Sequence, residues 1–328
     1  MQAIVYTKYG SLDVLRLEEI PRPVPRDDEV LVEVHASSVN YGNLVLVAGE
    51  PFISRMWSGL LKPKDKVPGG DIAGRVVAFG RNVKEFQPGD EVFGDSSSCG
   101  FGAYAEYVSV PVNTLAPKPA NISFEEAAAV PQAALVALQG LRDKGKTKAG
   151  QKVLINGASG GNGTFAVQIA KAFGAEVTGV CSTKNLELVR SIGADHIIDY
   201  TQQDFAQSGQ LYDLIFATAG DRSIFDYKRA LSPTGIYVMA GGSMKQIMQA
   251  TLLGSIISKS GGKKLCNLYH RPDRNDLIFM KELIEAGKVK PVIDRHYPLS
   301  EVGEALRYYE KGHARGKVVI TIDHDRNA

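Results

Sequence analysis

Between Gly150 and Lys171 the chain reads GQKVLINGASGGNGTFAVQIAK, a run that few folds accommodate. An apolar triplet, Val153-Leu154-Ile155, enters a turn of small residues, Ala158-Ser159-Gly160-Gly161-Asn162-Gly163. Directly after it, Ala166, Ile169, Ala170 and Phe173 recur at i, i+3, i+4 and i+7, the spacing of one helical face. The pattern predicts a buried strand, a glycine turn and a helix reaching Phe173. Such a joint presents free backbone N–H groups and the positive end of a helix dipole to a phosphate. Glycine is needed because a Cβ would block the turn, the approach of a pyrophosphate, or the packing of helix on strand. The flanking strand and helix raise the glycine run above a chance pattern and predict a dinucleotide site.

At 328 residues the chain has room for about two domains, each with its own core. The first hundred or so residues read as β-rich, with strands expected over Met1–Tyr6, Glu29–Ser38, Ile72–Phe79, Glu91–Gly94 and Ala103–Val110. In Glu29–Ser38, Val30, Val32, Val34 and Ala36 fall on one face. Residues 51–68 mix apolar anchors with lysines and show no period, which reads as a substrate-side loop or short helix. From Ser123 the rhythm changes. Ser123 and Glu126 form a capping-box pattern before an alanine-rich helix. Strands are then expected over Lys152–Asn156, Glu176–Cys181, His196–Ile198, Leu211–Ala217 and Gly235–Ala240, with helices between, which implies a parallel sheet covered on both faces. A last strand, Lys317–Ile322, is expected to return to the β-rich domain and make it discontinuous. The expected division is 1–122 with 291–328, and 123–290.

Bulk properties exclude several classes. A net charge of +2 is too mild to argue for nucleic acid or an anionic membrane. The densest basic stretch, Lys259 to Arg274, lacks an aromatic stacking platform and reads as a solvated loop. Three widely spaced cysteines, Cys99, Cys181 and Cys266, support neither a disulfide framework nor a four-cysteine zinc site. The first residues do not form a signal peptide, and no apolar run reaches membrane-spanning length. The expectation is a soluble, cytoplasmic protein without membrane insertion.

Gly150, Gln151, Leu154, Ala158, Ser159, Gly160, Gly161, Gly163, Gln168 and Lys171 together match a long spaced signature. On these residues the chain resembles the medium-chain dehydrogenase/reductase superfamily, in its zinc-independent quinone oxidoreductase (zeta-crystallin-like) branch. The resemblance extends to Val34–Asn40, to Gly70-Asp71-Ile72-Ala73-Gly74, to Pro88-Gly89-Asp90-Glu91-Val92 and to Gly316-Lys317, and so covers nearly the whole chain. Asn162 departs from it, standing where the branch more often has a small apolar residue. The resemblance implies an α/β fold: a β-rich GroES-like catalytic domain plus a Rossmann doubly wound parallel sheet. Zinc-dependent alcohol dehydrogenases of the superfamily need a cysteine after the first long strand and a histidine in a later G-H-E turn. Asn40 stands near the first place and Gly70-Asp71 at the second, so no metal is expected.

The second strand of the alternating half ends in Ser182-Thr183-Lys184-Asn185, with no acid until Glu187. A carboxylate there would bond an adenosine 2′-hydroxyl, whereas Ser182 and Lys184 suit a 2′-phosphate, so NADPH is expected over NADH. A lysine in an ordinary exposed turn is the plainer account of Lys184. The resemblance implies further cofactor positions at Asn40, also a catalytic candidate, Tyr200 and Lys317; without it Asn40 reads equally as a turn-forming asparagine and Lys317 as a surface lysine. Gly241 and Gly242, after an apolar strand, suit backbone approach to the nicotinamide or a plain strand-end turn. Tyr41, beside Asn40, is a candidate catalytic donor of a hydrogen bond or proton, or else a half-buried aromatic at a domain junction. With a nicotinamide and no metal, the expected reaction is hydride transfer to a quinone or an α,β-unsaturated ketone or aldehyde. A homodimer is implied by resemblance. The alternatives are a non-catalytic NADPH-binding redox sensor and an NADP-dependent alcohol dehydrogenase.

Overall fold

The computed structural model describes residues 1–219, 222–242, 246, 248–251, 254 and 262–324. The chain divides into two units: Met1–Gln132 with Pro272–Glu285 and Pro291–Ala328, and Ala133–Arg271 with Ala286–Lys290.

The first unit is built on β1 (Gln2–Val5), β2 (Arg16–Glu19), β3 (Glu29–Ser38), β4 (Asp71–Phe79), β5 (Glu91–Asp95), β6 (Tyr107–Pro111) and β7 (Leu115–Pro117). Strand β3 is central because its alternation holds: Val30, Val32, Val34 and Ala36 are fully buried. It pairs antiparallel with β4 and β6. Sequence placed a strand over Ala103–Val110; the regular part is Tyr107–Pro111, and Ala105 makes only an isolated bridge to Ala3. Positive φ at Gly102 and the turn to buried Tyr104 break the extended run.

The second unit holds β8 (Lys152–Asn156), β9 (Glu176–Cys181), β10 (His196–Asp199), β11 (Tyr212–Ala217), β12 (Leu231–Met239) and β13 (Lys264–Asn267). All pairings are parallel, in the order β10-β9-β8-β11-β12-β13. Val153, Leu154 and Ile155 are fully buried, the continuous apolar run that a sheet covered on both faces requires. Strand β12 starts earlier than Gly235, running through Pro233 with a register shift at Tyr212/Leu214 that absorbs the irregularity. Strand β13 corrects the expected solvated loop in the basic stretch: Lys264 opens a strand on β12, while Lys259 lies outside the described residues.

Two further strands, β14 (Ile293–Pro298) and β15 (Lys317–Thr321), return to the first unit. Strand β15 pairs antiparallel with β3 and parallel with β14, giving the order β14-β15-β3-β4-β5-β7 with β6 also on β3. The division differs from the expected cuts at 122/123 and 290/291. Residues 123–132 and the helix Arg274–Glu285 group with the first unit. The reason is polar as well as apolar: Asn121 Nδ2 donates to Ile284 O at 3.1 Å and Ala120 N to a Glu285 carboxylate oxygen at 3.0 Å. The Ser123 capping box forms as expected, with Glu126 N donating to Ser123 Oγ at 3.2 Å and Ser123 N to Glu126 Oε2 at 3.0 Å.

Candidate functional site

In the second unit β8 leads into a helix, Gly161–Ala172, and the two strands beside β8 continue the sheet in opposite directions. That reversal of strand order leaves a crevice beyond the carboxyl ends of the strands, where ligands of open α/β sheets sit. The turn is pinned by Ala158 N donating to Val180 O at 3.0 Å and Gly160 N to Gly157 O at 3.2 Å. Thr164 N donates to Gly160 O at 2.9 Å, so the N–H groups of Gly161, Asn162 and Gly163 precede the helical ladder. A Cβ on Gly163 would lie 2.0 Å from Gly157 O, so that glycine is demanded by packing of the turn on its own helix. Gly160 is different. Its φ is −84° and a Cβ there would meet nothing closer than 3.7 Å, so nothing within the turn itself requires glycine.

Strand β9 ends at Cys181, and Ser182 starts a 3₁₀ turn over Thr183–Asn185. Asn185 Nδ2 donates to Ser159 Oγ at 2.9 Å, tying this turn to the glycine turn. Lys184 is exposed and has no ion-pair partner among the described residues. Tyr200 is exposed too, and its N–H donates to Cys181 O, the end of β9, at 3.0 Å. Sequence reasoning missed an acid here. Asp199, on the next strand, accepts from Thr183 Oγ at 2.5 Å and from Thr201 Oγ1 at 2.8 Å, and these bonds hold its carboxyl below the usual range. Its position beside Tyr200 in sequence gave no hint of that reach. Gly241 follows β12 and donates its N–H to Ala217 O at 3.2 Å; a Cβ there would meet Thr218 O at 2.5 Å. Strand-end packing therefore already explains Gly241, while Gly242 takes a φ of 144°.

The first unit contains a different construction. Asn40 caps the helix Tyr41–Ala48, and its backbone N–H donates to Asn43 Oδ1 at 2.8 Å. Its side chain is clamped at both ends: Nδ2 donates to Asp71 Oδ2 at 2.7 Å, and Oδ1 accepts from Lys317 Nζ at 2.5 Å. Ser38 Oγ donates to the same Asp71 oxygen, and Gln132 N to the other at 2.9 Å. Tyr104 OH donates to Asn43 Oδ1 at 3.0 Å, and burial keeps that hydroxyl protonated. Asp71 is fully buried and Lys317 only 3% exposed. Burial pushes the Asp71 carboxyl up and the Lys317 ammonium down, and their mutual attraction opposes both shifts.

Lys317, expected by resemblance to serve a cofactor, is buried and bonded within the chain. Its ammonium has three protons, and Val39 O at 3.1 Å, Asn40 Oδ1 at 2.5 Å and Asp71 Oδ2 at 3.5 Å take them. Lys317 fixes the plane of the Asn40 amide, leaving Asn40 one uncommitted N–H. Tyr41 is 63% exposed at the first position of its helix. Asp71 was read only as part of a motif. A carboxylate opening the apolar strand Asp71–Phe79 is the signal, since a buried charge needs a partner.

Against known proteins, a family model described as a zinc-binding dehydrogenase matches residues 192–320, and one described as an alcohol dehydrogenase GroES-like domain matches residues 26–120. The 2-methylene-furan-3-one reductase of Solanum lycopersicum is 36% identical, over 98% of this chain and 79% of its own length. The chloroplastic NADPH-dependent alkenal/one oxidoreductase of Arabidopsis thaliana is 35% identical, over 98% and 79%. Among solved structures, the quinone oxidoreductase from Coxiella burnetii aligns with a TM-score of 0.87 at 29% identity, covering 98% of this chain and 99% of that one. Around Asn40 and Asp71 the bonded groups are the Lys317 ammonium, the Ser38 hydroxyl and backbone, with neither cysteine nor histidine among them. Among the described residues no three His, Cys, Asp or Glu side chains converge as a metal site.

Proposed function

Since the chain belongs to the medium-chain dehydrogenase/reductase superfamily, in its quinone oxidoreductase branch, we propose that it is an NADPH-dependent oxidoreductase of electron-poor double bonds, quinones or α,β-unsaturated ketones and aldehydes. The observation that carries this reading is the glycine turn at the point where strand order reverses, with Gly160 kept as glycine where its own surroundings would admit a side chain. A bound reduced nicotinamide supplies a hydride equivalent, and the chain's residues do the rest. The N–H groups of Gly161, Asn162 and Gly163, with Ala158 and Ser159 beside them, hold the pyrophosphate. Ser182 and the unpaired Lys184 take the 2′-phosphate, with Tyr200 alongside. The Asp199 carboxylate is turned instead to Thr183 and Thr201. Gly241 and Gly242 offer backbone to the nicotinamide.

By resemblance Asn40 serves the nicotinamide ribose, and its free amide N–H is the atom available for it. Its clamped geometry means that no rotamer entropy is lost on binding. Charge arriving on the acceptor oxygen is stabilised by oriented donors and neutralised by a proton from solvent or from the exposed Tyr41 hydroxyl. A homodimer, expected from the resemblance, belongs to the same reading and is checked by sedimentation.

The test is oxidation of NADPH and NADH against a panel of enones, alkenals, quinones, saturated carbonyls and alcohols. Turnover confined to the electron-poor acceptors is expected, and turnover confined to saturated carbonyls would overturn the reading. Lys184→Glu should raise the KM for NADPH roughly tenfold or more while leaving NADH little changed, because a charge-assisted contact is replaced by repulsion.

A further inference from the structure

Residues 51–66 read PFISRMWSGLLKPKDK. A 3₁₀ turn at Phe52–Ser54 runs into one helical turn, Arg55–Ser58. The segment is held by its polar atoms. Tyr9 OH donates to Gly59 O at 2.6 Å, Arg55 Nε to Gly49 O at 2.9 Å, and Lys64 N to Ser58 O at 2.7 Å. The Arg55 guanidinium also lies over the Tyr9 ring at 4.5 Å. Its apolar side chains are left open: Phe52, whose ring meets the Arg55 guanidinium at 5.3 Å, is 64% exposed, Met56 71%, Trp57 73% and Leu61 91%, with Ile53 and Leu60 more than half exposed. A surface loop normally shows the reverse arrangement, and a contiguous apolar patch of this kind marks an interaction site.

Charge says what the partner is. Lys62, Lys64 and Lys66 follow the apolar tip and are all exposed, and the acid within the segment is the half-buried Asp65. The mild net charge of the whole chain therefore conceals a local basic collar. Exposed aromatic and aliphatic side chains followed directly by three exposed lysines fit the boundary of an anionic bilayer, where apolar groups enter the headgroup region and ammonium groups meet lipid charge. A second copy of the chain fits poorly. A two-fold contact sets the patch against itself, and the collar would face its own lysines.

We propose that residues 51–66 dock this protein on the surface of an anionic lipid bilayer, Trp57 and Leu61 entering the headgroup layer and Lys62, Lys64 and Lys66 meeting its charge. Nothing in this depends on the reaction. Trp57 is the chain's single tryptophan, so its fluorescence reports the docking segment alone. The experiment titrates the full chain with vesicles of phosphatidylcholine and phosphatidylserine, and with phosphatidylcholine alone, following Trp57 emission and co-sedimentation. A blue shift and co-sedimentation with the mixed vesicles are expected, weakened by added salt. Lys62→Glu with Lys64→Glu should cut the affinity about tenfold or more, at roughly one collar residue's worth of lipid attraction each. Leu61→Ser should weaken binding with Trp57 retained as reporter, its fold checked by circular dichroism. Unchanged emission with the protein left in the supernatant overturns the proposal. So does a blue shift that grows with protein concentration without lipid, which would mean a second copy, or one produced by an enone or quinone but not by vesicles.

Discussion

The turn at Gly157–Gly163 and the knot around Asp71 both manage charge, yet one is written in consecutive residues and the other in bonded residues up to 278 apart. The turn uses backbone N–H groups and a helix end, needs no ionised side chain, and works because side chains are missing. The knot uses a carboxylate, an ammonium, a hydroxyl and an amide, each useless without the others. Backbone devices tolerate change in side chains that do not touch them. Side-chain devices fail as a unit.

Lys317→Met should produce the largest effect. It leaves the Asp71 carboxylate buried without its cation and should cost about 3–5 kcal/mol in urea unfolding. The double variant Asp71→Asn with Lys317→Met should recover at least about half of that loss, because no charge is then left uncompensated. Strict additivity in that cycle would sink the view of the knot as one unit.

A pair of glycine variants sharpens the other half. Gly163→Ala drives a Cβ to 2.0 Å from Gly157 O and should cost about 2–3 kcal/mol of stability as well as cofactor binding. Gly160→Ala makes only an ordinary van der Waals contact, with Gly157 O at 3.7 Å, so stability should hold within about 1 kcal/mol. Its affinity for NADPH should still fall about tenfold or more, measured by calorimetry, because the methyl group stands where the pyrophosphate must approach. Full affinity in a stable Gly160→Ala protein would place the phosphates elsewhere.

What sequence reveals follows the same line. Strands Lys152–Asn156, Glu176–Cys181 and Glu29–Ser38 fall where their patterns put them, since local periodicity and burial agree there. Glycine-turn residues were legible because their chemistry is local. Asp71 and Lys317 stand out only as charges in apolar strands, and nothing in the sequence says that they meet. Asp199 is of the same kind, reaching Thr183 across neighbouring strands. The Arg274–Glu285 helix escaped the expected division because its partners, Ala120 and Asn121, lie more than 160 positions away.

The smallest effect expected is a pH dependence. His35 stacks on Phe124 with ring centroids 4.4 Å apart, and burial chiefly, then His324 and Arg75, lower its pKa against the pull of Glu33 and Glu91. The folded protein then binds the proton less readily than the unfolded chain. Stability from this residue is whole above the ordinary value of 6.5 and is lost as pH falls below it. The Tm should therefore drop more between neutral and mildly acidic pH for the wild type than for His35→Phe. Equal drops would remove His35 from the account.

The position of β15 between β14 and β3 sets an order of events during synthesis. The residues of β3 and β4 leave the ribosome before the strand that completes their sheet, and before the ammonium that neutralises Asp71. Nearly all of the second unit is one unbroken stretch, Ala133–Arg271, and emerges whole before that strand exists. The second unit is then translated whole while the first still lacks β15, so the sheet and the ion pair of the first unit close only after the second has been made.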